Sequence, residues 1–93
     1  MRFREFRIGN RLLTDPIEIN NVLIKNNISW LIDSEIEDAS IEIRNKTLIW
    51  INGVYRAGDW HYGIWKDGYF YGNWENGIWE KGVFKGKWKS GVK

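Results

Sequence analysis

An aromatic residue falls on almost every fifth position from Trp50 onward, and a glycine follows each one closely. The aromatic series is Trp50, Tyr55, Trp60, Trp65, Phe70, Trp74, Trp79, Phe84 and Trp88. The glycine series is Gly53, Gly58, Gly63, Gly68, Gly72, Gly77, Gly82, Gly86 and Gly91. Regular spacing of this kind is typical of repeat proteins, in which stacked units build extended surfaces more often than catalytic pockets.

A longer cycle is superimposed on the five-residue spacing. The residue before each aromatic is apolar, apolar and then polar, in the order Ile49, Val54, Asp59, Ile64, Tyr69, Asn73, Ile78, Val83 and Lys87. The full unit is therefore three pentads, fourteen or fifteen residues long, with whole units at 55–69 and 70–83 and a shorter one at 84–93. Each pentad has space for about three extended residues and a two-residue corner, where glycine can adopt the positive φ that tight corners need.

The repeats predict an all-β fold. In the architecture that we favour, a small β-solenoid, each pentad forms one face, each glycine marks a corner, and the aromatic rings stack in ladders from coil to coil. The alternative is a β-meander, in which alternate glycine turns close short hairpins. A helix is excluded, because nine evenly spaced glycines would each cost about 1 kcal/mol in a helix interior.

The 93 residues are predicted to form a single domain, 1–93, with three segments. These are an irregular N-terminal segment at 1–16, an irregular β segment at 17–49 and the Trp-x-x-Gly repeats at 50–93. In the middle segment, Ile and Val alternate with polar residues from Ile17 to Ile24, and Ser40 to Arg44 alternates with period two. We favour strand over a weak helix at 32–38.

Composition excludes several classes of protein. The chain has no cysteine, which excludes disulfide scaffolds, thiolate nucleophiles and zinc–thiolate sites. No apolar run approaches the roughly 20 residues of a membrane span, and the opening stretch Met1–Arg7 lacks the apolar core of a signal peptide. We therefore expect a cytoplasmic protein with no membrane partner.

Charge is unevenly distributed, although the net charge is only +2. Residues 1–49 carry seven Lys or Arg against eight Asp or Glu, whereas residues 50–93 carry seven against four. The acidic cluster comprises Asp33, Glu35, Glu37, Asp38 and Glu42, and the basic cluster comprises Lys81, Lys85, Lys87, Lys89 and Lys93. We predict an electrostatic dipole, with a net charge too small for the whole chain to be a nucleic-acid binder.

Three known kinds of repeat are similar to parts of the chain. The stretches 70–77 and 84–91 resemble the aromatic-x-Gly-x-Trp-x-x-Gly core of the MORN repeat, although the unit is shorter here. Ser34-Glu35-Ile36 and Ala39-Ser40-Ile41 resemble pentapeptide repeats, which implies a quadrilateral β-helix; some members of that family mimic DNA with an acidic surface, from which the basic end of this chain departs. The Trp-x-x-Gly pentads also resemble the Trp-rich repeat tails of bacteriophage and large-virus proteins. That resemblance implies a small virus-encoded accessory protein or inhibitor in the host cytoplasm.

Patterns for catalysis and metal binding are weak. His61 is the single histidine, and a transition-metal site would need a second His or a Cys. The acidic cluster lacks Gly and Asn at the offsets of a calcium loop, which favours a solvated acidic face. No Ser or Thr lies in a nucleophile-elbow context. We expect a protein that is not an enzyme and that has no cofactor.

The lysine- and aromatic-rich stretch 81–93 is the sharpest functional signal. Cations interleaved with flat rings suit single-stranded nucleic acid, whose bases stack for about 1–3 kcal/mol each. The same lysines would also protect the open edge of a solenoid. For the tryptophans, two interpretations stay open: stacking on the sugar rings of a glycan, and packing as an internal ladder.

We predict a non-enzymatic protein-binding module, in the form of a virus-encoded inhibitor that docks on a host protein. Apolar residues on both sides of each pentad indicate that one face is covered by a partner or a second copy. The alternatives are nucleic-acid or glycan binding by the C-terminal repeats, and end-to-end self-assembly into homo-oligomers. The predicted contact residues are Trp60, Trp65, Trp74, Trp79, Lys85, Lys87, Trp88 and Lys89.

Overall fold

Over residues 3–93, the part of the chain that the structure describes, the computed structural model is mostly β-strand with one short α-helix, which confirms the all-β class in this coarse form. None of the helical segments in these residues could cross a membrane. The elements are β1 (Phe3–Ile8), β2 (Arg11–Leu13), α1 (Pro16–Lys25), a 3-10 helix (Ser29–Leu31), β3 (Glu35–Arg44), β4 (Thr47–Ala57), β5 (Asp59–Trp60), β6 (Ile64–Trp65), β7 (Tyr69–Phe70), β8 (Asn73–Trp74), β9 (Ile78–Trp79), β10 (Val83–Phe84) and β11 (Lys87–Trp88).

The N-terminal strands form a sheet that continues into the repeats. β1 pairs antiparallel with β2 and parallel with β3, and β3 pairs antiparallel with β4. Asn45 and Lys46 turn the β3–β4 hairpin, and both have the positive φ that suits a two-residue hairpin turn. The strand predicted from Ser40 to Arg44 is confirmed, and β3 begins at Glu35, so the preference for strand over helix is correct from that residue onward.

Two expectations for the N-terminal half are wrong. The stretch 17–24, expected to be strand, lies in α1, where Asp15 Oδ1 caps the helix by accepting a hydrogen bond from Ile17 N at 3.0 Å. Ile19 and Leu23 face the core, whereas Ile17, which a strand would place on the same side as Ile19, is 72% exposed, so the pattern of burial there is helical. The segment 1–16, expected to be irregular, contains β1 and β2; its first two residues lie outside the described part of the chain.

The strands of the repeats pair in parallel at intervals of one unit. Each paired residue lies fourteen or fifteen positions after its partner, as the triple-pentad unit predicts, and the pairs form three rows. The rows are Ile49, Ile64, Ile78 and Val92; Val54, Tyr69 and Val83; and Asp59, Asn73 and Lys87. A meander would require antiparallel hairpins between these strands, and the observed pairs are parallel.

The residue after each row position is an aromatic ring that points inward. These rings form three stacks: Trp50, Trp65 and Trp79; Tyr55, Phe70 and Phe84; and Trp60, Trp74 and Trp88. Within a stack the ring centroids are 4.8 to 5.3 Å apart and the planes lie within 16° of parallel. Rings of neighbouring stacks meet edge to face, so the interior is filled by aromatic contacts worth about 0.5–1.5 kcal/mol each beyond burial.

The N-terminal half covers one end of these stacks. Trp30, in the 3-10 helix, contacts the Trp60 ring edge to face at 5.2 Å. Ser34 Oγ forms a buried hydrogen bond of 2.5 Å with the hydroxyl of Tyr55, and burial raises the pKa of that phenol. The first half of the chain is therefore packed onto the repeats as a cap, as the ends of repeat arrays require.

The corners between strands have no room for a side chain. Gly77 has φ +128°, and a Cβ added there would lie 2.5 Å from Gly63 O and 3.1 Å from Trp60 Nε1. Gly9, in the β1–β2 turn, also has a positive φ of +59°, but it has no atom within 4 Å of an added Cβ. A comparison of substitutions at the two glycines therefore distinguishes the cost of a positive φ from the cost of steric crowding.

We expect Gly77→Ala to lower the free energy of unfolding by about 2–4 kcal/mol, because strain and a backbone clash combine. Gly9→Ala should cost only about 1–2 kcal/mol, the penalty of the left-handed conformation alone. Urea unfolding followed by tryptophan fluorescence measures both values. Equal losses for the two variants would contradict the crowded corner.

Alkaline pH should destabilise the chain through Tyr55. Because burial raises the pKa of its hydroxyl, the folded chain keeps a proton that the unfolded chain releases near pH 10. This stabilisation is complete below about pH 10 and is lost above it, by up to about 1.4 kcal/mol per pH unit. Tyr55→Phe removes the titrating group, so its stability should fall less steeply than that of the wild type. If the free energy of unfolding fell equally with pH for the two proteins between about pH 9 and 11, this role of Tyr55 would be contradicted.

Candidate functional site

The first outward face of the repeats is aliphatic. Its row of Ile49, Ile64, Ile78 and Val92 points away from the ring stacks, and Ile78 and Val92 are 39% and 63% exposed. A second row, Ile51, Lys66 and Glu80, follows two positions later in the sequence. Lys66 Nζ and Glu80 Oε2 are 3.0 Å apart and connect successive units. At one end of this face is a hollow of about 710 Å³, which Ile49, Ile51 and Ile64 help to line.

The second outward face combines tyrosines with cations. Its row is Val54, Tyr69 and Val83, and the row two positions later is Arg56, Tyr71 and Lys85. Tyr69 is 50% exposed, Tyr71 42% and Val83 37%. Arg56 Nε lies 2.9 Å from Glu37 Oε1, and this hydrogen bond raises the pKa of the guanidinium. The face is an apolar strip with positive groups along one side.

The third outward face is polar. Asn73 Nδ2 donates a hydrogen bond of 2.9 Å to Asp59 Oδ1, and Lys89 Nζ lies 3.2 Å from Glu75 Oε1. His61 is exposed, and its ring lies 5.4 Å from the ring of Trp30. Exposed ion pairs of this kind contribute at most about 1 kcal/mol each, so this face is a solvated surface.

Four of the predicted contact residues are buried, which contradicts their assignment as contacts. Trp60, Trp65 and Trp74 are 0% exposed and Trp79 is 8% exposed, because rings of the same stack and of neighbouring stacks surround them. The indole edges of Trp60, Trp65 and Trp74 also abut corner glycines, as Trp60 Nε1 does at Gly77. Of the two interpretations left open for the tryptophans, packing as an internal ladder therefore describes these four.

The other predicted contacts lie in the last unit and do not form one patch. Lys85 is on the second face, whereas Lys87 and Lys89 are on the third. Trp88 is half-buried at the end of its stack, and Lys93 Nζ lies 5.0 Å from its ring centroid. The role of these four residues as contacts stays a prediction.

The acidic cluster is partly neutralised by its surroundings. Glu37 pairs with Arg56, and Glu42 Oε2 lies 2.7 Å from Arg44 Nη2. Asp33 lines a small cavity of about 210 Å³ together with Asp59 and His61. Among the described residues, no group of three or more His, Cys, Asp or Glu side chains could hold a metal ion.

Sequence reasoning missed the residues that cover the outside of the repeats. Tyr69, Tyr71, Ile64 and Ile78 were not among the predicted contacts, although the apolar, apolar, polar cycle contained the signal. Strand residues alternate between the two sides of a sheet, so an inward ring places the residue before it on the surface. Reading the rings as interior would have identified these side chains.

No family model, curated protein or solved structure matches this chain. The resemblances to MORN repeats, pentapeptide repeats and viral Trp-rich tails therefore stay predictions.

We expect a substitution at the interior Trp74 to lower the free energy of unfolding far more than one at the exposed Lys87. Trp74→Ala should lower the free energy of unfolding by about 3–5 kcal/mol, because it opens a cavity between two stacked rings. Lys87→Ala, on the third face, should change it by no more than about 0.5 kcal/mol. Thermal or urea unfolding measures both. A mild effect of Trp74→Ala would contradict the closed interior.

Proposed function

We propose that this chain is a non-enzymatic protein-binding module and that its repeats form a small three-sided β-solenoid. Parallel pairs at intervals of one unit, and three stacks of inward rings, support the solenoid. A rigid scaffold of this kind holds its outward side chains at fixed spacing. Such preorganisation lowers the entropy lost when a partner binds.

The exposed tyrosines of the second face carry the proposal. Tyr69 and Tyr71 lie two positions apart on the outward side, and they are half exposed although neighbouring rings are buried. Tyrosine is enriched among the residues that dominate binding energy, because it offers a large rigid surface with a polar end. Val83 extends the apolar strip toward the last unit.

The charge beside the tyrosines indicates the chemistry of the partner. Lys85 follows Tyr71 in the same outward row, and no ion pair of Lys85 is found among the described residues. Arg56 lies on the other side of Tyr71 and is bound to Glu37. We therefore expect an apolar or aromatic segment of a protein, with an acidic residue that faces Lys85.

The proposal is non-enzymatic because the interior is filled by rings and the chain has a single histidine, which is exposed. The likeness of the pentads to viral Trp-rich tails extends the proposal to a virus-encoded inhibitor acting on a host protein in the cytoplasm. Nucleic acid remains the competing partner, because lysines surround the half-buried Trp88.

Capture from a host-cell lysate tests the proposal if it is done with matched variants. The wild type and Tyr62→Ala, which alters an exposed tyrosine outside the second face, should both recover one protein in stoichiometric amounts. Tyr69→Ala/Tyr71→Ala should recover it at least about tenfold less, as expected for residues at the centre of an interface. Unchanged thermal unfolding would show that the double variant is folded.

Two outcomes would refute this function. One is that the double variant, folded, retains the partner as well as the wild type. The other is recovery of nucleic acid in place of protein, with binding that weakens steeply between about 50 and 200 mM salt.

A further inference from the structure

The first outward face presents an aliphatic row in which Ile78 and Val92 are exposed and Ile49 and Ile64 are half-buried. Ile64 and Ile78 pair directly, and the row continues to Ile49 on one side and Val92 on the other. Successive rows of a sheet are about 4.8 Å apart, so these side chains form a narrow strip about 14 Å long. Apolar faces of sheets usually pack against another sheet at about 10 Å.

We propose that two copies of this chain pack face to face through this strip. The two-fold axis would lie between the copies, parallel to β6 and β9 and midway between them. Such an axis reverses the order of the rows in the second copy. Ile64 then faces Ile78 of the second copy, and Ile49 faces its Val92, so that every aliphatic residue meets another.

The charged row beside the strip fits the same axis. Lys66 and Glu80 occupy neighbouring positions in the row that follows the aliphatic one, with side chains 47% and 45% exposed. The reversal places Lys66 opposite Glu80 of the second copy and Glu80 opposite its Lys66. Two internal ion pairs thus become a network of four alternating charges, which is worth more than isolated surface pairs. A self-complementary patch of this kind is what an isologous dimer requires.

The shape of the surface at one end of the aliphatic strip fits the same two-fold axis. The hollow of about 710 Å³ lies beside Ile49 and is lined also by Ile51 and Thr47. Val92, at the opposite end of the row, is 63% exposed. The axis brings Val92 of the second copy to Ile49, so the last unit of each copy fills the hollow of the other.

The strip is smaller than the roughly 800 Å² per partner of a standard interface, so the dimer should be weak and dependent on concentration. It uses the first face, whereas the proposed protein-binding function uses the second. Failure of one therefore leaves the other standing.

Sedimentation equilibrium of the purified chain tests the dimer. The average mass should rise from that of one chain toward that of two as concentration increases. Ile78→Lys should abolish the rise, because it places a charge in the aliphatic strip. Val83→Lys, at a residue of similar exposure (37% against 39%) on the second face, should leave it unchanged. A wild type that sediments as one chain at every concentration up to the millimolar range would overturn the proposal.

A charge exchange tests the axis. Lys66→Glu should abolish association, because it sets like charges opposite each other. Lys66→Glu/Glu80→Lys should restore association, because the exchanged charges again face their opposites. A folded double variant that still fails to associate would overturn the arrangement. This test with the double variant holds even where the single variant does not fold.

Disulfide cross-linking supplies a test of register, since the chain has no cysteine of its own. In an equimolar mixture of Ile49→Cys and Val92→Cys chains, the mixed disulfide should form at least about tenfold faster than either homodisulfide. The reason is that unlike residues face each other, whereas like residues are about 14 Å apart, beyond the roughly 7 Å that a disulfide spans. Equal rates for the three products would overturn the proposed register.

Discussion

The stacking of aromatic rings at the spacing of β-strands is the interaction on which the rest of the structure depends. Ring centroids within a stack are 4.8 to 5.3 Å apart, close to the roughly 4.8 Å between neighbouring strands. A two-residue strand such as β7 or β8 would be marginal alone, because it makes few hydrogen bonds. Each strand therefore depends on the ring that it contributes to the interior, and the rings can stack only because the strands pair in register.

The closed interior determines where function can lie. Since Trp60, Trp65 and Trp74 have no exposed surface, a partner would meet the residues that flank the rings rather than the rings themselves. The apolar, apolar, polar cycle therefore corresponds to the three outward faces. One face is aliphatic, one carries tyrosines, and one is polar and solvated. The two apolar surfaces are distinct, so the proposed second copy and the proposed protein partner would occupy different sides of the scaffold.

The cap gives the repeats one closed end, and it is built by different rules from the repeats. β1 and β3 extend the sheet with ordinary longer strands, while α1 and the 3-10 helix pack apolar residues such as Leu23 and Leu31 into the core. The Ser34–Tyr55 hydrogen bond and the Trp30–Trp60 contact connect the two halves. Unfolding of the cap would expose the first rings of the stacks, so the halves should unfold together.

The sequence by itself determined the length of the unit, the position of its corners and the strand character of the repeats, because glycine and ring spacing depend only on local backbone geometry. It also indicated the strand at 40–44. Tertiary structure decided the rest. Residues 17–24 alternate like a strand but form part of α1, which buries Ile19 and Leu23 and leaves Ile17 exposed. The tryptophans look like contacts in a linear sequence, and only the parallel pairing of distant strands shows that neighbouring units enclose them, because burial depends on residues fourteen positions away rather than on adjacent ones.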